Sequence, residues 1–220
     1  MPRTTKKTEV LKISPSRFGL RHLAPAADVL LGGGVVGAAT ESFYGLMALA
    51  DKPEALEKIG TLKGGREEGS AYLLLVDCFD RVKAYAEEIP PETLDVTGRF
   101  WPGLLTILFK ARAGLNPAIL GSKKGTVGIR LDKAAIPKAL VRVTDRAVTG
   151  TSANPHGEPP AKDAKTLLKY YENRVDLVID SGPAKGKKPS TVLDLSKAPW
   201  TLVREGAVSA KELARAIPLE

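Results

Sequence analysis

Residues 126–155 read TVGIRLDKAAIPKALVRVTDRAVTGTSANP, and three kinds of local pattern follow one another within them. Residues 126–131 form a short apolar run with β-branched members, which predicts a strand. A helical stretch is expected around Ala134 to Val141, and 147–151 returns as a strand. The unit then breaks into Thr151-Ser152-Ala153-Asn154-Pro155, a set of compact hydrogen-bonding groups directly after a strand. In α/β sheets the crevices at strand ends are where such groups converge on a ligand. Taken alone, Ser152-Ala153-Asn154 fits a turn or a helix cap equally well.

The same alternation extends in both directions. Upstream, 25–31 is a short helix with Pro25 in its first turn and Gly32 ending it. Residues 34–39 make a buried strand, 53–62 a helix, 71–76 a strand, 81–88 a helix and 104–110 a strand. Downstream, Asp163 caps a helix reaching about Tyr171. Strands follow at 175–180, 191–195 and 201–204. Ser209 and Glu212 have the spacing of a capping box opening a last helix. Strands alternating with helices argue for an α/β sheet layered with helices, and two short neighbouring strands near the end make it mixed rather than purely parallel. The chain has no internal repeat, so a single domain is expected, with residues 1–14 as an N-terminal tail and 15–220 as the domain.

Composition sets the outer bounds. A chain of 220 residues with 43% hydrophobic and 26% charged residues is ordinary for a globular domain. It contains no run approaching the roughly 20 apolar residues of a membrane span. The basic, polar start lacks the apolar core of a secretory signal. Cys78 is the only cysteine; no internal disulfide can form, which fits a cytoplasmic location. It is expected as a small core or strand-end residue. The net charge of +8 and the pI of about 9.5 suit a polyanionic partner, or a basic surface that aids solubility. Charge alone does not separate these.

Two phosphate-binding patterns fail on inspection. Gly32-Gly33-Gly34-Val35-Val36-Gly37 matches G-x-G-x-x-G, but it follows a helix and runs into a strand, the reverse of the dinucleotide fingerprint. Gly182-Pro183-Ala184-Lys185-Gly186-Lys187-Lys188 has its glycines too close for a P-loop, and Lys188 stands where a magnesium-binding hydroxyl belongs. His22, a surface or helix-entry residue, and His156, a loop residue, have no cysteine pair to form a metal site with.

Seven polar segments remain: 40–46 (TESFYGL), 63–66 (KGGR), 100–106 (FWPGLLT), 128–130 (GIR), 151–155 (TSANP), 189–191 (PST) and 204–206 (REG). Lys63, Arg66, Arg130 and Arg204 are cations suited to phosphate oxygens. Thr40, Thr106, Ser152, Asn154 and Ser190 are small hydrogen-bonding groups. In this order the set resembles the YrdC (TsaC) family of threonylcarbamoyl-AMP synthases, whose pattern runs P-T-D-T-x-Y-G-L, K-x-R, W-P-G-P-L-T, G-x-R, T-S-A-N-x-S-G, S-T-V and R-x-G. The likeness extends from about Leu23 to Ala216.

That resemblance implies a YrdC-like twisted mixed sheet layered with helices, in one domain with a positively charged cleft. It implies a nucleotidyltransferase that joins L-threonine, bicarbonate and ATP into threonylcarbamoyl-adenylate and releases pyrophosphate. The product would serve threonylcarbamoylation of adenosine 37 of tRNA by a separate transferase. Thr40, Tyr44 and Thr106 would contact threonine or shape its pocket. Lys63, Arg66, Ser152, Asn154, Ser190 and Arg204 would hold ATP, with Lys63 and Arg66 in the catalytic loop, and Arg130 would lie on the cleft wall. Magnesium would arrive with the triphosphate, with no dedicated protein ligands. A diverged member binding tRNA or double-stranded RNA, or a nucleotide, without synthesis is the alternative. The departures are Ala39, Glu41 and Ser42 in the first motif, Leu104 in the W-P-G-P element, Asp132 where Pro is frequent after G-x-R-x, and His156 for Ser. Gly65 falls where the basic residue of K-x-R belongs, and Gly69 replaces a position that helps hold threonine in some members.

Overall fold

The computed structural model describes residues 7–65, 71–121 and 125–219. Two mixed sheets form the frame, and the run 147–152 is where the chain passes from one to the other. The first sheet contains β1 (Glu9–Lys12), β2 (Val36–Ala39), β3 (Tyr44–Met47), β9 (Thr151–Ser152) and β10 (Leu177–Asp180), in the order β1-β10-β2-β3-β9. The second contains β4 (Leu74–Val76), β5 (Leu105–Lys110), β6 (Leu120–Gly121), β7 (Thr126–Leu131), β8 (Val148–Thr149), β11 (Thr191–Asp194) and β12 (Thr201–Arg204). Its order is β12-β11-β5-β7-β4-β8, with β6 pairing on β7.

Both sheets are mixed, as expected. β1, β10 and β2 are parallel neighbours, whereas β2–β3 and β3–β9 are antiparallel. In the second sheet β11 runs parallel to β5 and β4 to β7, with antiparallel β12, β8 and β5–β7 pairings between them. The expected strand 147–151 is therefore two strands. β8 pairs with β4, β9 pairs with β3, and Gly150 sits between them. A Cβ on Gly150 would lie 2.9 Å from Leu73 and Leu75 side-chain atoms, so only glycine lets the chain turn across the tightly packed sheet.

Helices close both faces. They are α1 (Ala24–Leu31), α2 (Pro53–Leu62), α3 (Thr93–Phe100), α4 (Ala135–Thr144), α5 (Ala164–Tyr171) and α6 (Ala210–Leu213). Leu177 and Ile179 of β10 pack with Leu30 of α1 and Leu140 of α4, while Val178 packs on the opposite side with Leu167 of α5. With both faces covered, β10 is buried on either side, which explains its continuous apolar sequence. Each large aliphatic chain buried this way contributes roughly 1.5–3 kcal/mol. Asp163 caps α5 by accepting from the Thr166 amide, and Ser209 and Glu212 form the expected capping box on α6.

Several local expectations are corrected. The helix foreseen at 81–88 is a 3-10 segment, Phe79–Ala84. The helix α3 was not anticipated because its sequence, TLDVTGRF, is rich in weak helix formers and has no side-chain cap; burial of Val96 and Thr97 holds it in place. The stretch assigned to a tail holds β1, whose residues are largely exposed and which exists through its pairing with β10. Cys78 does follow a strand, but it is exposed rather than in the core. His22 lies exposed in the 3-10 turn that leads into α1. The glycines 32–34 do follow α1 and lead into β2. Among the described residues no helix is long and apolar enough to cross a membrane. The whole is one α/β domain.

Candidate active-site cleft

The turn between β2 and β3, the ends of β9 and β12, and the C-terminal end of β7 surround a cleft of about 220 Å³. Thr40, Tyr44, Arg130, Ser152, Ser190 and Arg204 all line it. Six residues singled out from distant segments thus converge at one place. Arg130 and Arg204 are the only charged side chains among the described residues lining it.

Each is set by its local structure. Thr40 leaves β2 and organises the hairpin turn: its hydroxyl donates to the Phe43 carbonyl (2.8 Å) and accepts from the Ser42 amide (3.2 Å). The Tyr44 ring borders the cleft, but its hydroxyl donates to the Gly182 carbonyl (2.7 Å), so this residue shapes the wall and anchors the loop before Ser190. Burial raises the Tyr44 pKa above the usual phenol value. Ser190 ends the loop before β11. Its hydroxyl shares a 2.9 Å hydrogen bond with Thr106, which is buried behind it on β5 and does not itself line the cleft.

Arg204 terminates β12 with an exposed side chain whose Nη2 donates to the Ser190 carbonyl at 2.9 Å. Desolvation of the guanidinium against the wall, and the nearby charge of Arg130, hold its pKa below the ordinary arginine value; it remains cationic. Gly206 follows because the backbone there presses on 189–190, where a Cβ would lie 2.5 Å from the Pro189 carbonyl oxygen. That contact explains the glycine of R-x-G.

Arg130 stands apart. It is 2% exposed, in the interior of β7, and pairs with Asp132, which is fully buried. Its Nε has no partner among the described residues. Asp132 was noted in the sequence only as a departure from a family motif. Asp132 follows β7 directly, two residues after Arg130, and continued strand alternation would put the two on the same face; that spacing was the available signal.

Lys63 and Asn154 sit beside the cleft rather than in its lining. Lys63 caps the C-terminus of α2, where a cation complements the helix dipole. Its Nζ donates to the carbonyls of Ser152 (2.8 Å) and Asn154 (3.0 Å), and the His156 amide donates back to the Lys63 carbonyl (3.0 Å). Burial lowers the Lys63 pKa from the usual lysine range. Asn154 donates to the Pro155 and Glu158 carbonyls, and its Oδ1 is buried with no partner among the described residues. Lys63 is thereby latched to the segment 152–156. Arg66 and Gly69 lie outside the described residues.

Two mixed sheets meet at a cleft lined by two arginines and small hydroxyls, donors of the kind a small anionic ligand would need. The family model for Sua5/YciO/YrdC proteins, described as telomere recombination, matches residues 28–206, and the chain belongs to that family. A protein of Pyrococcus abyssi named threonylcarbamoyl-AMP synthase is 29% identical over 87% of this chain and 56% of its own length. One of the same name from Thiobacillus denitrificans is 33% identical over 74% of this chain and 86% of its own. The crystal structure of P. abyssi Sua5 complexed with L-threonine superposes with a TM-score of 0.90, at 27% identity, covering 97% of this chain and 63% of that one. The chain thus spans little more than half the length of the P. abyssi relative.

Proposed function

We propose that the protein is a threonylcarbamoyl-AMP synthase, a nucleotidyltransferase acting on L-threonine, bicarbonate and ATP. The observation that carries this reading is the convergence of Thr40, Arg130, Ser152, Ser190 and Arg204, from five separate segments, on one cleft. The names of its relatives and the threonine held by one of them supply the substrate class.

In the reaction, the threonine amine adds to bicarbonate with loss of water, giving a carbamate. A carbamate oxygen then attacks the α-phosphorus of ATP, and pyrophosphate leaves. This chemistry requires alignment and charge neutralisation more than a general base. The side chains here supply those: Arg130 and Arg204 offer charged donors, Lys63 retains a third N–H beyond its two carbonyl contacts, and Ser152 and Ser190 offer neutral hydrogen bonds. At about 220 Å³ the cleft is small beside the roughly 300–1,000 Å³ of a site enclosing a whole drug-sized ligand. It suits the reacting amino acid and phosphoryl group, with the nucleoside lying across the mouth near Arg204. Asp132 is already engaged by Arg130 and by backbone amides. Magnesium would therefore be carried by phosphate oxygens and water, for which this donor set leaves room.

The test is incubation of the protein with ATP, threonine and bicarbonate. Pyrophosphate release that depends on threonine is expected; release independent of it, or none from folded protein, overturns the assignment. The adenylate would then pass to a tRNA-modifying transferase. A second reading, RNA or nucleotide binding without synthesis, draws on Lys185, Lys187 and Lys188, which are exposed on the loop leading to Ser190. It requires steeply salt-dependent RNA binding with no adenylate formed.

A further inference from the structure

Two departures from the family pattern, Glu41 in the first motif and Asp132 after the G-x-R strand, meet in space. Asp132 is completely buried, and both of its carboxylate oxygens are used. Oδ2 pairs with Nη2 of Arg130, while Oδ1 accepts from the amides of Glu41 (3.0 Å) and Ala134 (2.8 Å). One side chain therefore joins the interior of β7, the 40–43 turn and the entry to α4. The same turn carries Thr40 and Ser42, which line the cleft together with Arg130.

A proline at this position accepts no hydrogen bond through its side chain and carries no charge, so it makes none of these contacts. A carboxylate here places a charge in the interior, at a cost of several kcal/mol that only good pairing offsets. The geometry shows what the pairing holds. Arg130 lines the cleft with its buried Nε unpartnered among the described residues, and Arg204 presents a second guanidinium to the same cleft. Two guanidiniums lining one cleft are suited to an anionic group.

We propose, resting on the synthase reading, that Asp132 is a positioning residue: it fixes Arg130 and the 40–43 turn as one rigid unit, so that the Arg130 guanidinium meets the anionic group of a substrate. That group is a phosphoryl of ATP or the carboxylate of threonine. Asp132 touches neither and acts through Arg130.

A double-mutant cycle separates positioning from simple folding. Asp132→Asn keeps an oxygen for the two amides but turns an N–H toward Arg130; Arg130→Gln removes the guanidinium. If Asp132 works through Arg130, Asp132→Asn lowers kcat/KM for pyrophosphate release about tenfold or more in the native background, and by less than about twofold in Arg130→Gln. Equal losses in both backgrounds overturn the proposal, as does tighter substrate binding by Asp132→Asn, the result expected if Asp132 only balances charge. Should Asp132→Asn melt below the assay temperature, the smaller Asp132→Ser takes its place in the same cycle. Calorimetry of the same variants with ATP alone and with threonine alone identifies the source of the anion. A loss confined to ATP assigns a phosphoryl group, a loss confined to threonine assigns its carboxylate, and no loss with either overturns the proposal. Calorimetry also keeps the two readings apart. A native protein that binds ATP without releasing pyrophosphate defeats the synthase reading, and the cycle is then read in ATP affinity; one that binds neither ligand defeats both.

Discussion

Arg130 and Arg204 present the same charge to the same cleft, yet they are held in opposite ways. Arg130 is buried near the end of a central strand of its sheet and fixed by a buried carboxylate. Arg204 stands at a strand end, exposed, and leans on one backbone carbonyl. The first belongs to the fold as much as to the site. The second is available to a ligand at almost no structural expense, because a strand terminus facing solvent needs no partner to remain satisfied. A site that combines them has one cation set in advance and another free to adjust as the ligand arrives.

Breaking the buried member has the largest expected effect. Arg130→Ala strands Asp132 as an uncompensated buried charge and is expected to cost about 3–5 kcal/mol in denaturant unfolding. A loss under about 1 kcal/mol would show that water or rearrangement rescues the carboxylate, and the contrast between the two arginines would fail. Breaking the exposed member moves a different quantity. On the proposed synthase reading, Arg204→Ala would remove a charged hydrogen bond to a phosphate worth ~1.5–3 kcal/mol, so ATP affinity measured by calorimetry should fall roughly ten- to a hundredfold. Its unfolding free energy should stay within about 0.5 kcal/mol of the native protein.

Gly206→Ala tests whether the exposed arginine depends on backbone placement. The added methyl would lie 2.5 Å from the Pro189 carbonyl oxygen, so the 204–206 turn must lift away from Ser190. Stability should drop by about 1–3 kcal/mol, and ATP affinity should fall although Arg204 is still present. Unchanged affinity would mean that Arg204 reaches its ligand without the Ser190 contact.

The smallest effect probes the surroundings of the buried pair by pH. Burial, and secondly the negative charge of Asp132, raise the Glu41 pKa above its ordinary value of 4.5, with Arg130 and the Lys133 amide opposing. The folded state therefore holds the Glu41 proton more tightly than the unfolded chain, and the associated stability is lost as pH rises through the raised pKa. Glu41→Gln should accordingly melt slightly higher than the native protein at pH 7, with the difference fading as pH falls to about 4. A constant difference across that range would remove ionisation of Glu41 as its cause.

Much of this was legible beforehand where the signal is local. Apolar runs announced most strands, and prolines, glycines and caps announced the ends of α1, α2 and α5. Most of the polar segments gather at the cleft because strand ends are where an α/β sheet presents them. Elements held by distant partners were harder to read. β1 is a strand because β10 lies beside it, and α3 is a helix because its buried residues outweigh weak propensity. The Arg130–Asp132 pair had a trace in the sequence, an i, i+2 spacing at the end of a buried strand, but the third partner, the Glu41 amide, is 91 residues away.

By itself, then, the sequence determined the α/β class, the mixed sheet and the set of polar groups from which the site is drawn, since periodicity, capping and turn chemistry act between near neighbours. Tertiary structure alone decided which of those groups face one another. It turned Tyr44 and Thr106 into supports, set Lys63 against the 152–154 backbone, split the run 147–151 between two sheets and buried Asp132 against Arg130. Charge pairing and desolvation depend on distances across the fold, and those exist only once the sheets have met.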